Sequence, residues 1–249
     1  MTTIDLSAAA SPAGTGPETA GSRNLLGYLA EPDGTGPFPA VLMIHEAFGL
    51  NEISRRQADR LARAGYLTLA VDLFSDGGTR RCLVATMRSL ASGTGKAFAD
   101  LSVAQAWLEQ SGRTTGRIGV IGFCLGGGFA LLIAKDGFDA AAVNYGRLPK
   151  NPNEALLGAC PVLGNFGKAD RTLPGAAAKL HAALDELGVE NDIREFEGVG
   201  HAFMNDAEVG PRLLRPLYRV MGVKPDPAAA EEAWQRIEDH FARYLAQPK

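Results

Sequence analysis

The sequence predicts an α/β protein with a mostly parallel central sheet and helices on both of its faces. Two observations favour this fold class. Apolar segments of strand length alternate with segments of helical periodicity along the chain of 249 residues. The strand-length segments are short and apolar, which is typical of parallel strands that helices bury on both faces. Sheets of this kind carry their active sites at the carboxyl ends of the strands.

The first elements show this alternation. Residues 40–45 (AVLMIH) form a strand-length apolar segment, and Asn51 then offers a side chain that can cap a helix. Gly65 ends that helix, and residues 66–71 (YLTLAV) predict the next strand. An irregular loop around Gly77 is expected to follow. The apolar residues on one face of this helix are Ile53, Ala58, Leu61 and Ala62.

The rest of the chain continues the pattern. A helix is expected from about residue 98 to 110, another after a glycine-rich turn at 122–127, and a third that ends at Gly188. Asp226 followed by Pro227 is typical of the start of a helix. The remaining strands are predicted at residues 118–121, 140–145, 160–166 and in the segment that leads to residue 200. The last helix carries Trp234, Ile237, Phe241 and Leu245 at helical spacing.

Composition and charge limit the possible functions. The chain is 46% hydrophobic and 21% charged, as expected for a soluble globular protein, and its length suits a single domain over residues 1–249. The formal net charge of −3 provides no basic surface for nucleic acid. No apolar run approaches the roughly 20 residues that span a bilayer, so no membrane association is expected. The N-terminus also lacks the positive start of a signal peptide.

Two segments and the cysteines complete the organisation. Residues 7–22 are small, polar and rich in Gly and Pro, which predicts a flexible loop. Residues 206–226 form an insertion before the last helix that packs onto the body or serves as a lid or partner surface. Three scattered cysteines are too few for a disulfide framework or a zinc site, so reduced thiols and a cytoplasmic location are expected.

Four chemically active residues follow directly after predicted strands: Glu46, Cys124, Asp170 and His201. Of these, Cys124 has the most specific surroundings, because Gly122-Phe123-Cys124-Leu125-Gly126 has the spacing of a nucleophile elbow with cysteine in place of serine. A thiol there projects at a helix N-terminus, whose partial positive charge favours the thiolate. The Leu125 N–H would face a developing oxyanion.

Other interpretations of the turn are a buried, inert cysteine or a dinucleotide-binding turn. The second fails because Cys124 occupies the position where a glycine must let a pyrophosphate approach. The order Cys124, Asp170, His201 is the chain order of a nucleophile, acid and histidine on this architecture. His181 and His240 fall within predicted helices.

Four motifs together resemble the dienelactone hydrolase family, a branch of the α/β-hydrolase fold that uses a cysteine nucleophile. They are His45-Glu46-Ala47-Phe48-Gly49-Leu50-Asn51, Gly122-Phe123-Cys124-Leu125-Gly126-Gly127, Asp170 with Pro174 close behind, and Gly200-His201-Ala202-Phe203. The resemblance extends from about residue 26 to 245. His45, at the end of a strand, is expected to be a packed histidine or to line the site.

The resemblance implies a role for each matching residue. Cys124 would be the nucleophile, His201 the general base and acid, and Asp170 the residue that orients the imidazole. Leu125 and Ala47 would supply the backbone N–H groups of an oxyanion hole. Glu46 would meet the thiol in the resting enzyme and take its proton when substrate arrives, although a solvated strand-end carboxylate is the alternative. Tyr145 would lie near the site or pack its ring in the core.

One departure concerns substrate binding. The family holds a substrate carboxylate with arginines, one of them four residues after the catalytic histidine, where this chain has Asn205. Arg80 and Arg81 lie roughly where the other arginine is expected, although both could belong to a solvated loop. The loss of one guanidinium clamp leaves the substrate open.

The sequence therefore predicts a hydrolase of esters or enol lactones that forms a cysteine acyl-enzyme and needs no metal or organic cofactor. The alternatives are a broader carboxylesterase or thioesterase, a thiol redox sensor, and a binding module without turnover. The expected partner is a small-molecule ester or lactone, and the expected assembly is a monomer or a homodimer.

Overall fold

The computed structural model describes residues 2–7, 21–208, 210, 213, 215–220 and 222–246. Most of the predicted loop at 7–22 and part of the insertion at 206–226 lie outside these residues. The chain divides into two compact units, Met1–Gly119 with Leu245–Lys249, and Val120–Tyr244. The expected single domain stays a prediction. None of the helices in the described ranges is long and apolar enough to cross a membrane.

The first unit contains four strands in the order β1-β2-β4-β3. β3 and β4 are parallel, whereas β2 runs antiparallel to both β1 and β4. Asn51 caps α1 as predicted, because its side chain accepts hydrogen bonds from the N–H groups of Ile53 and Ser54. The elements are β1 (Thr2–Asp5), β2 (Leu26–Ala30), β3 (Phe38–Ile44), α1 (Glu52–Arg63), β4 (Leu67–Asp72), α2 (Gly78–Ser92) and α3 (Lys96–Gln110).

The second unit has strands in the order β5-β6-β7-β8, and β7 is parallel to both β6 and β8. β5 begins in the first unit and ends in the second. Asp226 caps α8 by accepting a hydrogen bond from the Ala229 N–H at 3.2 Å. The elements are β5 (Thr114–Phe123), α4 (Leu125–Ile133), β6 (Ala140–Asn144), α5 (Pro152–Ala155), β7 (Val162–Gly167), α6 (Ala176–Glu186), β8 (Asn191–Phe196), α7 (Arg215–Val220) and α8 (Pro227–Leu245).

The predicted mostly parallel α/β class is confirmed, with two differences in the first unit. Residues 78–92 form α2, where an irregular loop was expected. Thr86 is the buried residue of this helix, while Val84 and Met87 are exposed. Leu83, Met87 and Leu90 lie at helical spacing, but the two glycines at 77 and 78 favour a loop in the sequence. The antiparallel strands β1 and β2 were also missed, because β1 is largely exposed and β2 is short and contains a glycine.

Candidate active site

Cys124 lies on a sharp turn between β5 and α4. Its φ of 53° is unusual for a residue with a side chain, and it places the thiol at the first turn of α4. Strand and helix approach closely on both sides of it. A Cβ atom on Gly122 would lie 2.0 Å from the carbonyl oxygen of Gly126, so residue 122 must be glycine. This is the backbone geometry that the glycine spacing predicts for a nucleophile elbow.

The structure brings Cys124, His201 and Asp170 together in the second unit. His201 Nε2 lies 3.1 Å from Cys124 Sγ, and His201 Nδ1 lies 2.5 Å from Asp170 Oδ2. The side chain of Asp170 is 1% exposed and that of His201 is 13% exposed, so water screens these contacts little. Cys124 as a whole residue is half-buried. The three side chains form a continuous series of contacts from the carboxylate through the imidazole to the thiol.

The electrostatics favour a charged imidazole. Burial alone would lower the pKa of His201, but the hydrogen bonds to Asp170 and Cys124 and their negative charges outweigh it and raise this pKa to about 10. Burial would raise the pKa of Asp170, yet the hydrogen bonds from His201 and Thr172 hold that pKa below its ordinary value. The favoured state of His201 at neutral pH is therefore the positively charged imidazolium, which lies between the Asp170 carboxylate and Cys124 Sγ.

Thr172 fixes the orientation of the Asp170 carboxylate. Its backbone N–H and its hydroxyl both donate to Asp170 Oδ1, at 2.8 and 2.6 Å. The second oxygen, Oδ2, is thereby turned towards His201. Thr172 was not among the predicted site residues, although an aspartate often forms a turn in which its carboxylate accepts from residue i+2, and this spacing can be recognised in the sequence.

Backbone strain concentrates around these residues. Cys124, Tyr145 and Ala202 are the described residues other than glycine with positive φ, at 53°, 41° and 58°. Such conformations cost about 1–3 kcal/mol each and cluster at functional sites. The fully buried Tyr145 ring packs edge-on against the His201 ring, with 5.1 Å between centroids. Tyr145 thus packs in the core and lies next to the imidazole, and its part in substrate binding stays a prediction.

Four further candidates lie in the first unit. Glu46 is buried and Ala47 is half-buried, and both lie in the turn after β3. Arg80 and Arg81 are exposed in the first turns of α2, not in a loop. Their roles toward Cys124 stay predictions.

The other three histidines have different surroundings. His45 is a packed histidine, since its Nε2 accepts from the Leu73 N–H at 3.1 Å and its Nδ1 donates to the Glu46 carbonyl at 2.7 Å. His181 lies on the exposed surface of α6, where its ring is 2.8 Å from the Asn191 side chain. Burial lowers the pKa of His240, in α8, to about 4.

Asn205 is buried in the loop that follows His201, and its backbone N–H donates to the Ala202 carbonyl at 3.2 Å. This loop therefore turns back towards the histidine. A neutral, buried amide stands at the position where the family places an arginine, so the chain offers no guanidinium there.

A groove lies between the loops that follow β6 and β7. Its volume is about 590 Å³, and its lining includes Leu173 and Pro174, which directly follow Thr172. Three exposed cations also line it, Arg147, Lys150 and Lys179, and among the described residues none of them makes an ion pair. No local sequence pattern indicates this cluster, because Lys179 is far from Arg147 and Lys150 in the chain and each of the three is a single surface charge.

The chain is similar to known proteins of one family. The dienelactone hydrolase family pattern matches residues 25–245. The chain is 32% identical over 235 residues to a Methylorubrum extorquens protein provisionally named a carboxymethylenebutenolidase, covering 87% of this chain and 76% of that protein. It is 28% identical to the carboxymethylenebutenolidase of Rhodococcus opacus, covering 88% and 86%.

A solved structure shows the same similarity. It is a Klebsiella pneumoniae protein provisionally named a dienelactone hydrolase, with a TM-score of 0.76, 26% identity, and coverage of 98% of this chain and 99% of that one. The family pattern spans nearly all the described residues, including the elbow and the histidine loop. This chain belongs to the dienelactone hydrolase family.

Proposed function

We propose that the protein hydrolyses an ester or lactone through an acyl-thioenzyme on Cys124, with His201 and Asp170 completing a triad. The observation that carries the proposal is the 3.1 Å contact between His201 Nε2 and Cys124 Sγ on the elbow. The Asp170 contact on the opposite ring nitrogen supports it, since that contact fixes the imidazole so that Nε2 faces the sulfur.

In the first half-reaction, the thiolate of Cys124 attacks the substrate carbonyl carbon and a tetrahedral intermediate forms. We assign the backbone N–H groups of Leu125 and Ala47 to the resulting oxyanion. When the intermediate collapses, the bond to the leaving oxygen breaks and His201 Nε2 gives that oxygen its proton. In the second half-reaction, His201 removes a proton from water, and the hydroxide attacks the thioester. The carboxylic acid product then leaves and the thiolate and imidazolium return.

The choice of nucleophile points to activated substrates. A thiolate is a better leaving group than an alkoxide, so the tetrahedral intermediate of a simple alkyl ester returns to substrate more readily than it forms the thioester. Substrates with a good leaving group, such as an enolate, therefore acylate the thiol most efficiently. Enol lactones and enol esters are therefore the proposed substrate class. Glu46 is the proposed alternative to His201 as the group that takes the thiol proton when substrate arrives.

The direct test uses p-nitrophenyl acetate in a stopped-flow instrument, followed by intact-mass measurement. We expect a rapid burst of p-nitrophenolate equal to the enzyme concentration, slow turnover, and one acetyl group on Cys124. A broader carboxylesterase would turn over simple alkyl esters as fast as enol esters. No burst, together with ready formation of sulfenic acid by dilute peroxide, would instead support a redox sensor.

The groove lined by Arg147, Lys150 and Lys179 predicts a preference for negatively charged substrates. Lys179→Glu should raise KM about tenfold for an enol ester that carries a carboxylate, because one attractive charge becomes repulsive. The KM of a neutral ester of the same size should not change. Lys135→Glu is the matched control, since Lys135 is an exposed lysine of the same unit that does not line the groove. Equal effects on the charged and the neutral ester would contradict a role for the groove in binding substrate charge.

A further inference from the structure

Asn144, the last residue of β6, holds the elbow at two points. Its backbone carbonyl accepts a hydrogen bond from the Cys124 N–H at 3.0 Å, and its side-chain Nδ2 donates to the Gly122 carbonyl at 3.2 Å. The side chain of Asn144 is fully buried, so these bonds have no competition from water. These two hydrogen bonds lie on either side of Phe123. They fix the end of β5 directly before Cys124, the residue with the strained backbone.

Asn144 is itself held by a second buried amide. Asn165 lies beside Asn144 in the β6–β7 register, is also fully buried, and donates from Nδ2 to Asn144 Oδ1 at 2.9 Å. Arg236 of α8 donates from Nη1 to Asn165 Oδ1. Its Nη2 donates to the Asp192 carbonyl at 3.1 Å and pairs with the Asp192 carboxylate at 2.8 Å. A single line of hydrogen bonds thus runs from Arg236 to the elbow.

The direction of this line is fixed at both ends. A guanidinium can only donate, so Arg236 requires the oxygen of Asn165 to face it. The Asn165 NH₂ group must then face Asn144 Oδ1, which turns the Asn144 NH₂ group towards the Gly122 carbonyl, an obligatory acceptor. Reversing either amide would place oxygen against oxygen or N–H against N–H in a buried site.

We propose that Arg236, Asn165 and Asn144 form an amide relay that positions the nucleophile for catalysis. Strained backbone persists only where its surroundings over-determine it, and the relay supplies that constraint for Cys124 at φ 53°. The relay acts through the elbow and does not contact the substrate. The proposal rests on the proposed role of Cys124, because the relay matters to catalysis only if the sulfur is the attacking atom.

The test is the acylation rate constant measured from the burst, with the burst amplitude used to count active sites. Asn165→Asp keeps the shape and the contact to Arg236 but cannot donate to Asn144 Oδ1, so it should lower the acylation rate constant about 100-fold. Arg236→Met removes the donor that fixes the amides and should lower it about tenfold. Arg236→Lys, whose ammonium group can only donate, should keep most of the wild-type acylation rate constant. The half-saturating substrate concentration should change less than about twofold, since substrate contacts remain.

Arg243→Met is the matched control, because Arg243 lies on the same helix and pairs with Glu190 at 2.8 Å outside the relay. Its acylation rate constant should equal that of the wild type. A merely structural relay would lower the burst amplitude and the thermal midpoint while leaving the rate per active site unchanged, which would overturn the proposal. A wild-type burst with unaltered rates in the variants would overturn the relay alone. Absence of a wild-type burst would overturn both the relay and the role of Cys124.

Discussion

Cys124→Ala is expected to lower kcat/KM for an activated ester by a factor on the order of 10⁴ to 10⁶, the range that loss of a covalent nucleophile produces. In the proposed mechanism this change removes the attacking atom, so the covalent route closes and only the proposed oxyanion N–H groups can still assist water. Alanine, like cysteine, carries a Cβ, so the elbow at φ 53° bears the same strain in both proteins. The measurement is steady-state hydrolysis, with a thermal unfolding scan to show that the fold remains.

Cys160→Ala is the control for this experiment. Burial raises the pKa of the Cys160 thiol to about 12, so this thiol is protonated at neutral pH and is a poor nucleophile. The Cys160→Ala protein should therefore keep its activity and its burst. If Cys124→Ala retained a tenth or more of the wild-type turnover, another residue would have to be the nucleophile.

Part of this site follows from the sequence alone. Parallel strands end at one edge of their sheet, so a residue directly after an apolar segment is predicted to face the site. Cys124 directly follows β5, whereas Asp170 lies three residues after β7 and His201 five residues after the largely polar β8, and the structure brings the three into contact. The glycine at position 122 can also be predicted from the sequence, because a strand and a helix that pack so closely require a glycine at this point of the turn.

The supporting residues could not be found in this way. Asn144 and Asn165 are single polar residues at the ends of apolar segments, and their contact depends on the β6–β7 register, which no local pattern specifies. In the sequence, Arg236 cannot be distinguished from the other charged residues on the polar face of an amphipathic helix. Pairings between distant residues leave no periodicity in the sequence, so they emerge only when the fold is known.

Asp170→Asn is expected to lower kcat by about 10³ to 10⁴-fold with little change in KM. The two donors of Thr172 hold Oδ1, so the new amide must keep its oxygen there and present its NH₂ group to His201 Nδ1. Nδ1 must then accept, which moves the ring proton to Nε2, the nitrogen that faces Cys124 Sγ. An imidazole in this tautomer cannot accept the proton of the thiol or of the attacking water. The measurement is kcat against pH for both proteins.

The same substitution has a pH-dependent effect on stability. The pKa of His201, raised to about 10, adds stability that is complete below about pH 6.5 and is lost as the pH rises through about 10. The lowered pKa of Asp170 adds stability above about pH 4 that is lost on further acidification. The difference in unfolding free energy between wild type and Asp170→Asn should therefore be largest between about pH 4 and about pH 6.5 and shrink towards pH 10. Urea unfolding across this range measures it. A difference independent of pH would mean that Asp170 does not stabilise the imidazolium, and its catalytic role would then have to be orientation alone.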